Sequence, residues 1–164
     1  MRGPYTSRNT WCSGGQSRWY ARWYDGIEVA VPAPGVCEAI TSAAGIIIPP
    51  SNPIASIGTI LSVPGVRQAL AARSGRLVAV SPIVQGATLK GPADKLMQAL
   101  GYDASALGVA RYYGDLLDGF VLDRLDQALQ PAIRQMGIGV HVMNTIMSGP
   151  DERRALARVV VEML

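Results

Sequence analysis

The chain has 164 residues and a formal net charge of +3, and only 16% of its residues are charged. This length fits one modest domain, and the 49% share of hydrophobic residues can form a core, which excludes a disordered polyampholyte. No apolar run approaches the length of a bilayer span, and 2 cysteines are too few for a disulfide framework. We therefore expect a cytoplasmic protein that has no contact with a membrane.

The first 24 residues differ from the rest of the chain in charge and aromatic content. They contain four arginines, no acidic residue and all three tryptophans of the chain. Basic residues interleaved with aromatic rings also occur in proteins that bind single-stranded nucleic acid. The segment has no helical or strand periodicity, however. We therefore predict a poorly ordered leader at residues 1–24, a folded domain at residues 25–164, and no nucleic-acid partner.

Short, continuous apolar runs predict the buried strands of a sheet. Four of them are Gly45–Ile48, Leu77–Val80, Gly119–Leu122 and Ile138–Val142. Runs that are apolar throughout, rather than alternating, are typical of parallel strands that are covered on both faces. Ile27–Val31 could add a fifth strand at one edge.

Helical periods separate these strands along the chain. The alternation of strands and helices predicts an α/β fold, Rossmann-like, with a mainly parallel sheet and flanking helices. Gln85–Leu117 is longer than one crossover needs and holds two helical patterns, so we interpret it as a small helical excursion. One predicted helix spans Ile54–Leu61. The others begin at Pro34, at Pro64, at Ala93, at Ala106, near Leu125 and at Pro150, and Pro131 interrupts the helix that begins near Leu125.

Polar residues follow the carboxyl ends of the predicted strands. Ser51 and Asn52 follow the first strand, Ser81 the second and Thr145 the fourth. Because the carboxyl ends of parallel strands share one edge of the sheet, we expect these groups to lie near a ligand there. Short polar side chains before a helix start can bind phosphate. The alternative is a proline-rich turn in which Ser51 and Asn52 bond their own backbone.

Lys90 and Gly91 precede another predicted helix. The Lys90 ammonium group could face a phosphate there, and the alternative is a solvated lysine before a helix start. Ser81 has no general base beside it in the sequence, so we expect no serine nucleophile.

An acidic stretch and a single histidine remain. Asp115, Asp118, Asp123 and Asp126 could bind Mg²⁺ through oxygen ligands, but solvated faces and helix starts are the interpretation we favour. His141 has no partner at metal-ligand spacing, which predicts a histidine of the core or the edge of the sheet.

Several longer motifs accompany these residues. They keep their order and approximate spacing from about Gly26 to the C-terminus. The motifs are Pro50-Ser51-Asn52-Pro53-Ile54-Ala55-Ser56-Ile57-Gly58, Ile60-Leu61, Val63-Pro64-Gly65, Val80-Ser81-Pro82-Ile83-Val84, Lys90-Gly91-Pro92-Ala93, Ser105-Ala106-Leu107-Gly108-Val109-Ala110, Asp118–Asp123 and Thr145-Ile146-Met147. Together they resemble the C-terminal half of the 2-phospho-L-lactate transferase family, which acts in the biosynthesis of the deazaflavin coenzyme F-420.

The resemblance implies a group-transfer reaction. A guanosine-diphosphate-activated phospholactate, or a phosphoenolpyruvate equivalent in actinobacterial members, donates its phospho-acid group to a ribityl hydroxyl of the deazaflavin precursor Fo. GMP leaves, and a divalent metal, usually Mg²⁺, assists. In such a site no catalytic residue is assigned, and the residues expected to bind the donor are Ser51, Asn52, Ser81, Lys90, Gly91 and Thr145.

The chain also departs from the family pattern. Family members are about twice as long, and their N-terminal half carries a glycine-rich turn and the metal and Fo ligands. We therefore expect a truncated transferase whose Mg²⁺ ligands lie outside this chain. An open strand edge would also favour a homodimer. Gln85 replaces an expected glycine and could crowd its loop.

Two alternatives to a transferase stay open. One is a non-catalytic fragment that binds GDP or has only a structural role. The other is a nucleic-acid-binding protein that acts through its basic leader.

Overall fold

Six strands are present in residues 24–164, the part of the chain that this computed structural model describes. They are β1 (Gly45–Ile48), β2 (Arg76–Val80), β3 (Ile83–Val84), β4 (Ala87–Thr88), β5 (Gly119–Asp123) and β6 (Gly139–Met143). The central sheet is parallel and has the order β1-β2-β5-β6, while β3 and β4 form an antiparallel hairpin. The predicted leader lies outside the described residues, except for Tyr24.

Helices flank the sheet and connect its strands. Seven α-helices are formed by residues 24–164: α1 (Val36–Ser42), α2 (Thr59–Ser62), α3 (Val66–Ala71), α4 (Ala93–Ala99), α5 (Ala106–Tyr113), α6 (Gln130–Arg134) and α7 (Pro150–Glu162). A π-helical turn at Pro53–Gly58 leads into α2, and 3₁₀ turns occupy Ile27–Val29, Gly114–Leu116 and Arg124–Leu129. The predicted α/β, Rossmann-like architecture is therefore confirmed. Within residues 24–164, no helix is both long and apolar enough to cross a membrane.

The two faces of the sheet carry different numbers of helices. The strands follow one another across the sheet in chain order, so every right-handed crossover lies on the same face. Leu77 and Ala79 of β2 point into the larger core on that face, whose buried members run from Ile48 of β1 to Ile138, just before β6. Val78 and Val80 point the other way and pack against α7. Within residues 24–164 the strand order does not reverse.

All four long strands lie within one residue of their predicted positions. Burial along the strand is confirmed for β2 and β5 but wrong for β1, which has one buried residue, and for β6, which has none, because these two strands are the outer ones of the sheet. The prediction around residue 27 also differs from the structure. Ile27–Val29 forms a 3₁₀ turn rather than an edge strand, so that prediction is wrong. Gly26 has a φ of 76°, and its carbonyl accepts a hydrogen bond from the Val29 N–H, which closes a turn. A chain that bonds to itself in this way cannot pair with a neighbouring strand.

The excursion between β2 and β5 contains the two predicted helices, α4 and α5, and the hairpin β3–β4, which the sequence did not indicate. Gln85 and Gly86 form the turn of this hairpin with φ values of 50° and 77°. Positive φ at both central residues is the signature of a type I′ turn, which suits the twist of the flanking strands. Gln85 therefore fits, although it adopts a backbone conformation that glycine reaches at lower cost.

Two glycines of the sequence motifs allow close packing around α5. A Cβ atom on Gly58 would lie 2.6 Å from the hydroxyl oxygen of Tyr112, on α5. A Cβ atom on Gly108 would lie 1.9 Å from the carbonyl oxygen of Asp103. Because neither contact leaves room for a methyl group, these positions require glycine for packing rather than for ligand binding.

An ion pair fixes the amino edge of the sheet. Arg73 Nη2 lies 2.5 Å from Asp118 Oδ2, and the same guanidinium donates to the carbonyls of Leu70 and Leu116. The Leu77 N–H of β2 also donates to Asp118, at 2.8 Å. Desolvation alone would raise the pKa of Asp118, but the Leu77 N–H and the Arg73 guanidinium outweigh it, so the pKa lies below its usual value.

We expect Asp118→Asn to lower the free energy of unfolding at pH 7 by roughly 1–2 kcal/mol, because hydrogen bonds to a charged group are lost but solvent screens this side chain, which is 41% exposed. A lowered folded-state pKa stabilises the fold above the unfolded value of about 3.9, and this contribution disappears as the pH falls through the lowered pKa. Urea unfolding at pH 7 and pH 3 should therefore show a difference between variant and parent that shrinks at the lower pH.

Asp103→Asn is the matched control, because its pair with Arg111 is largely exposed, with the two side chains 70% and 54% accessible. It should change the free energy of unfolding by less than about 1 kcal/mol. Equal losses in the two variants would contradict a special role for Asp118.

Candidate functional site

The carboxyl edge of the sheet brings together most of the predicted binding residues. Ser51 and Asn52 follow β1, Ser81 follows β2 and Thr145 follows β6. Because the strands are parallel, the loops that leave them emerge at one edge. The structure thus places these four residues along the same side of the sheet, while their part in binding stays a prediction.

Asn52 builds the first turn after β1. Its side-chain Oδ1 accepts hydrogen bonds from the N–H groups of Ile54 and Ala55, at 2.9 and 3.0 Å. Its backbone carbonyl accepts from Ser56 and Ile57, both at 3.1 Å, and so closes the π-helical turn. The self-bonded turn considered as an alternative is therefore present. Among residues 24–164 these contacts involve the carboxamide oxygen and not its NH₂ group, which is the donor we consider for a ligand.

Ser81 uses its hydroxyl inside the protein. Ser81 is 2% exposed, and its Oγ donates to the Ile83 carbonyl at 2.9 Å and accepts from the Ile83 N–H at 3.2 Å. Its backbone N–H donates to the Val121 carbonyl of β5. This side chain shapes the turn from β2 into the hairpin, which agrees with the expectation that it is no nucleophile.

A buried carboxylate joins the loops after β5 and β6. Asp123 is 1% exposed, and its Oδ1 accepts from the Leu125 N–H at 3.0 Å. Its Oδ2 accepts from the N–H and the hydroxyl of Thr145, at 2.8 and 3.1 Å. We call this set of contacts the Asp123 clamp. Sequence reasoning missed it, although an aspartate directly after a buried strand was a visible signal.

A second buried carboxylate holds the hairpin turn. Both oxygens of Asp126 accept from the Gln85 N–H, at 3.1 and 3.0 Å. Asp126 lies in the turn after β5 and is 8% exposed. The contact fixes the tip of the hairpin β3–β4 against the segment that follows the Asp123 clamp.

Lys90 and Gly91 lie between the hairpin and α4. Lys90 is exposed, and Gly91 has a φ of 82°. The Gly91 carbonyl accepts from the Thr88 hydroxyl at 2.6 Å. α4 contacts the π-helical turn that Asn52 caps. Because the Lys90 segment leads directly into α4, it approaches the carboxyl edge of the sheet from the side of Asn52. Its role in binding stays a prediction.

The described residues do not fit a Mg²⁺ site. No group of three or more His, Cys, Asp or Glu side chains within residues 24–164 could hold a metal ion. Asp123 and Asp126 already use their oxygens for N–H donors, and Asp118 pairs with Arg73 at the opposite edge. The implied Mg²⁺ therefore stays a prediction.

Comparison with known proteins identifies the family. Residues 5–146 match the family model described as 2-phospho-L-lactate transferase CofD. The chain belongs to this family. The predicted resemblance is therefore confirmed, and the match begins at residue 5, within the predicted leader and ahead of the motifs that start near Gly26.

Relatives carry two names. A phosphoenolpyruvate transferase of Streptomyces griseus is 45% identical over 139 residues, which are 84% of this chain and 44% of that protein. A 2-phospho-L-lactate transferase of Methanosarcina mazei is 43% identical over 137 residues, 84% of this chain and 45% of that protein. The chain thus spans less than half the length of these members of the CofD family.

The Asp123 clamp makes a prediction for stability. Asp123→Asn keeps the shape of the side chain but turns an NH₂ group toward an N–H donor, of Leu125 or of Thr145. We expect the free energy of unfolding to fall by roughly 2 kcal/mol or more, because a buried donor is left unpaired. Urea unfolding measures the loss, and hydrogen exchange at the Thr145 N–H should accelerate.

Thr145→Val is the control, because it removes only the hydroxyl contact and should cost about 1 kcal/mol. A loss in Asp123→Asn no larger than that in Thr145→Val would show that the backbone contacts of the clamp contribute nothing.

Proposed function

We propose that the carboxyl edge of this sheet binds the diphosphate of a guanosine-diphosphate-activated phospho-acid in a transferase of coenzyme F-420 biosynthesis. Membership of the CofD family and the names of its relatives support a donor that carries phospholactate or phosphoenolpyruvate. The observation that carries the proposal is the parallel sheet, which aligns the loops of Ser51, Asn52, Ser81 and Thr145 along one edge.

The donor is an anion, and the edge offers groups that suit one. The Asn52 NH₂ group, the Ser51 hydroxyl and the Lys90 ammonium can each donate a hydrogen bond to a phosphate oxygen. A helical segment, the π-helical turn and α2, begins directly after Asn52. Its dipole favours negative charge at that end. Ser81 and Thr145 would act through the loops they hold, because their hydroxyls are bonded inside the protein.

The proposed reaction is a displacement at phosphorus. The ribityl hydroxyl oxygen of Fo forms a bond to the phosphorus of the phospho-acid, the anhydride bond to GMP breaks, GMP leaves with that bond's electrons, and the hydroxyl proton passes to solvent. Phosphoryl transfer of this kind depends on positioning and charge neutralisation more than on a covalent nucleophile. To residues 24–164 we assign donor binding and positioning, and no base for the hydroxyl proton.

A non-catalytic protein that binds GDP is the second candidate. The observation in its favour is that residues 24–164 supply no donor set for the implied metal. Both candidates bind GDP at the same edge, and they differ only in turnover.

Donor binding can be tested at Asn52. Asn52→Asp retains the oxygen that accepts from Ile54 and Ala55, but it replaces the NH₂ group with a negatively charged oxygen. We expect GDP to bind at least about tenfold more weakly, a change of about 1.4 kcal/mol, because the anion loses a donor and meets a like charge. Isothermal titration of GDP into parent and variant measures the effect.

Gln68→Glu, an equal change of charge on the exposed side of α3, is the control and should leave the affinity unchanged. Unfolding temperatures show whether Asn52→Asp preserves the turn. Equal GDP affinities for the parent, Asn52→Asp and Gln68→Glu would remove Asn52 from the site.

Turnover separates the two candidates. A transferase should release GMP from guanosyl-diphospho-phospholactate or its phosphoenolpyruvate analogue only when Fo and Mg²⁺ are present. We expect Lys90→Gln to raise the KM for the donor at least about tenfold, since it removes a cation, while Lys95→Gln on the exposed side of α4 should not. Thermal stabilisation by GDP with no GMP released would support the non-catalytic candidate instead.

A further inference from the structure

The free edge of β6 borders a groove that the proposed function does not use. The groove has a volume of about 610 Å³. One wall is residues 140–143 of β6, and the other is the helical segment 124–134, which presents Arg124, Gln127, Gln130 and Arg134. We call it the β6 groove.

The backbone of β6 faces this groove at every second residue. Within residues 24–164, β6 is the last strand of the sheet and pairs with β5 only. The Gly139 N–H donates to the Asp118 carbonyl, on the β5 side, at 3.0 Å. Because backbone direction alternates along a strand, the N–H and C=O groups of Val140 and Val142 point away from β5. Outward backbone groups on an edge strand are a template for a further strand.

Two arginines flank the two ends of that template. Arg124 directly follows Asp123, which lies opposite Met143 at the carboxyl end of β6. Arg134 Nη2 lies 3.5 Å from the Val140 carbonyl oxygen near the amino end. Both arginines are exposed, and no acidic side chain lines the groove.

The separation of the charges indicates the shape of the ligand. The five residues of β6 extend over about 17 Å, at 3.3–3.4 Å per residue. Two guanidinium groups at opposite ends of such a strand do not converge on one small anion. They suit carboxylates that are spaced along an extended chain, and the amides of Gln127 and Gln130 between them can bond to either backbone or side chain.

We propose that the β6 groove binds an acidic polypeptide segment in extended conformation, which adds to the sheet as a strand beside β6. Main-chain hydrogen bonds to Val140 and Val142 provide affinity in this mode, with the Val140 carbonyl, which already accepts from Arg134, using its second lone pair. The flanking arginines select for acidic side chains. The proposal does not depend on donor binding, because the groove lies beside β6 and not among the loops of Ser51, Asn52 and Lys90.

The test uses a labelled probe peptide, about seven residues long, in which valine and glutamate alternate. Fluorescence anisotropy with the full chain should show binding, and a peptide with lysine in place of glutamate should not bind. In the double variant Arg124→Glu/Arg134→Glu we expect at least about tenfold weaker binding of the acidic peptide and a gain of binding for the lysine peptide. Arg158→Glu, on the exposed side of α7, is the control and should behave as the parent does.

Hydrogen exchange tests the backbone pairing. The acidic peptide should slow exchange of the Val140 and Val142 N–H groups at least about tenfold, and it should leave the His141 N–H, which faces β5, unchanged. Circular dichroism of the double variant establishes that it is folded.

Three results would overturn the proposal. The first is that the parent binds neither peptide, so that the arginines only protect the edge from pairing. The second is binding of both peptides with equal affinity, or binding without protection of Val140 and Val142. The third is a dimer in sedimentation experiments that the double variant abolishes, because the occupant of the groove would then be a second copy of this chain.

Discussion

The Asp123 carboxylate is the interaction on which the carboxyl edge of the sheet depends. A charge that is 1% exposed is tolerated only when donors surround it, and here two N–H groups and one hydroxyl do so. Those donors belong to the loops after β5 and β6, so the charge fixes both. Asp126 repeats the arrangement one turn later and fixes the hairpin. The edge is thus built by acids whose oxygens point inward and are already bonded.

This use of the acids divides the polar residues of the edge into two groups. Ser81 and Thr145 complete internal contacts and shape their loops. Asn52 and Lys90 keep donors that no internal bond within residues 24–164 uses, and they are the ones that we propose for an anion. An edge whose carboxyl oxygens accept hydrogen bonds from backbone N–H groups, and whose remaining donors are exposed, is suited to a negatively charged ligand. It is poorly suited to a cation, which agrees with the lack of a metal donor set in residues 24–164.

The sequence predicts the sheet well because the pattern of each long strand is local. Leu77–Val80 of β2 and Gly119–Leu122 of β5 are apolar throughout, so their burial is visible without any partner. The hairpin β3–β4 could not be predicted, because strands of 2 residues are too short to show a periodic pattern in the sequence. The hydrogen bonds of the site could not be predicted for another reason, because their partners are far apart in the sequence. Thr145 lies 22 residues from Asp123, and Gln85 lies 41 residues from Asp126. Only the folded chain decides whether a polar residue at a strand end faces a ligand or a distant backbone group.

The order of the strands limits what this part of the chain does in the proposed reaction. Open α/β sheets bind ligands in a crevice where the strand order reverses, and such a crevice has a wall on each side of the reversal. In residues 24–164 the order β1-β2-β5-β6 runs one way, with six helices on one face and α7 alone on the other, and Ile47 of β1 stays 43% exposed. In the proposed function these residues form one wall of such a crevice, and their exposed donors bind the diphosphate of the activated phospho-acid. Donor binding is therefore the part of the reaction that we propose for this sheet edge.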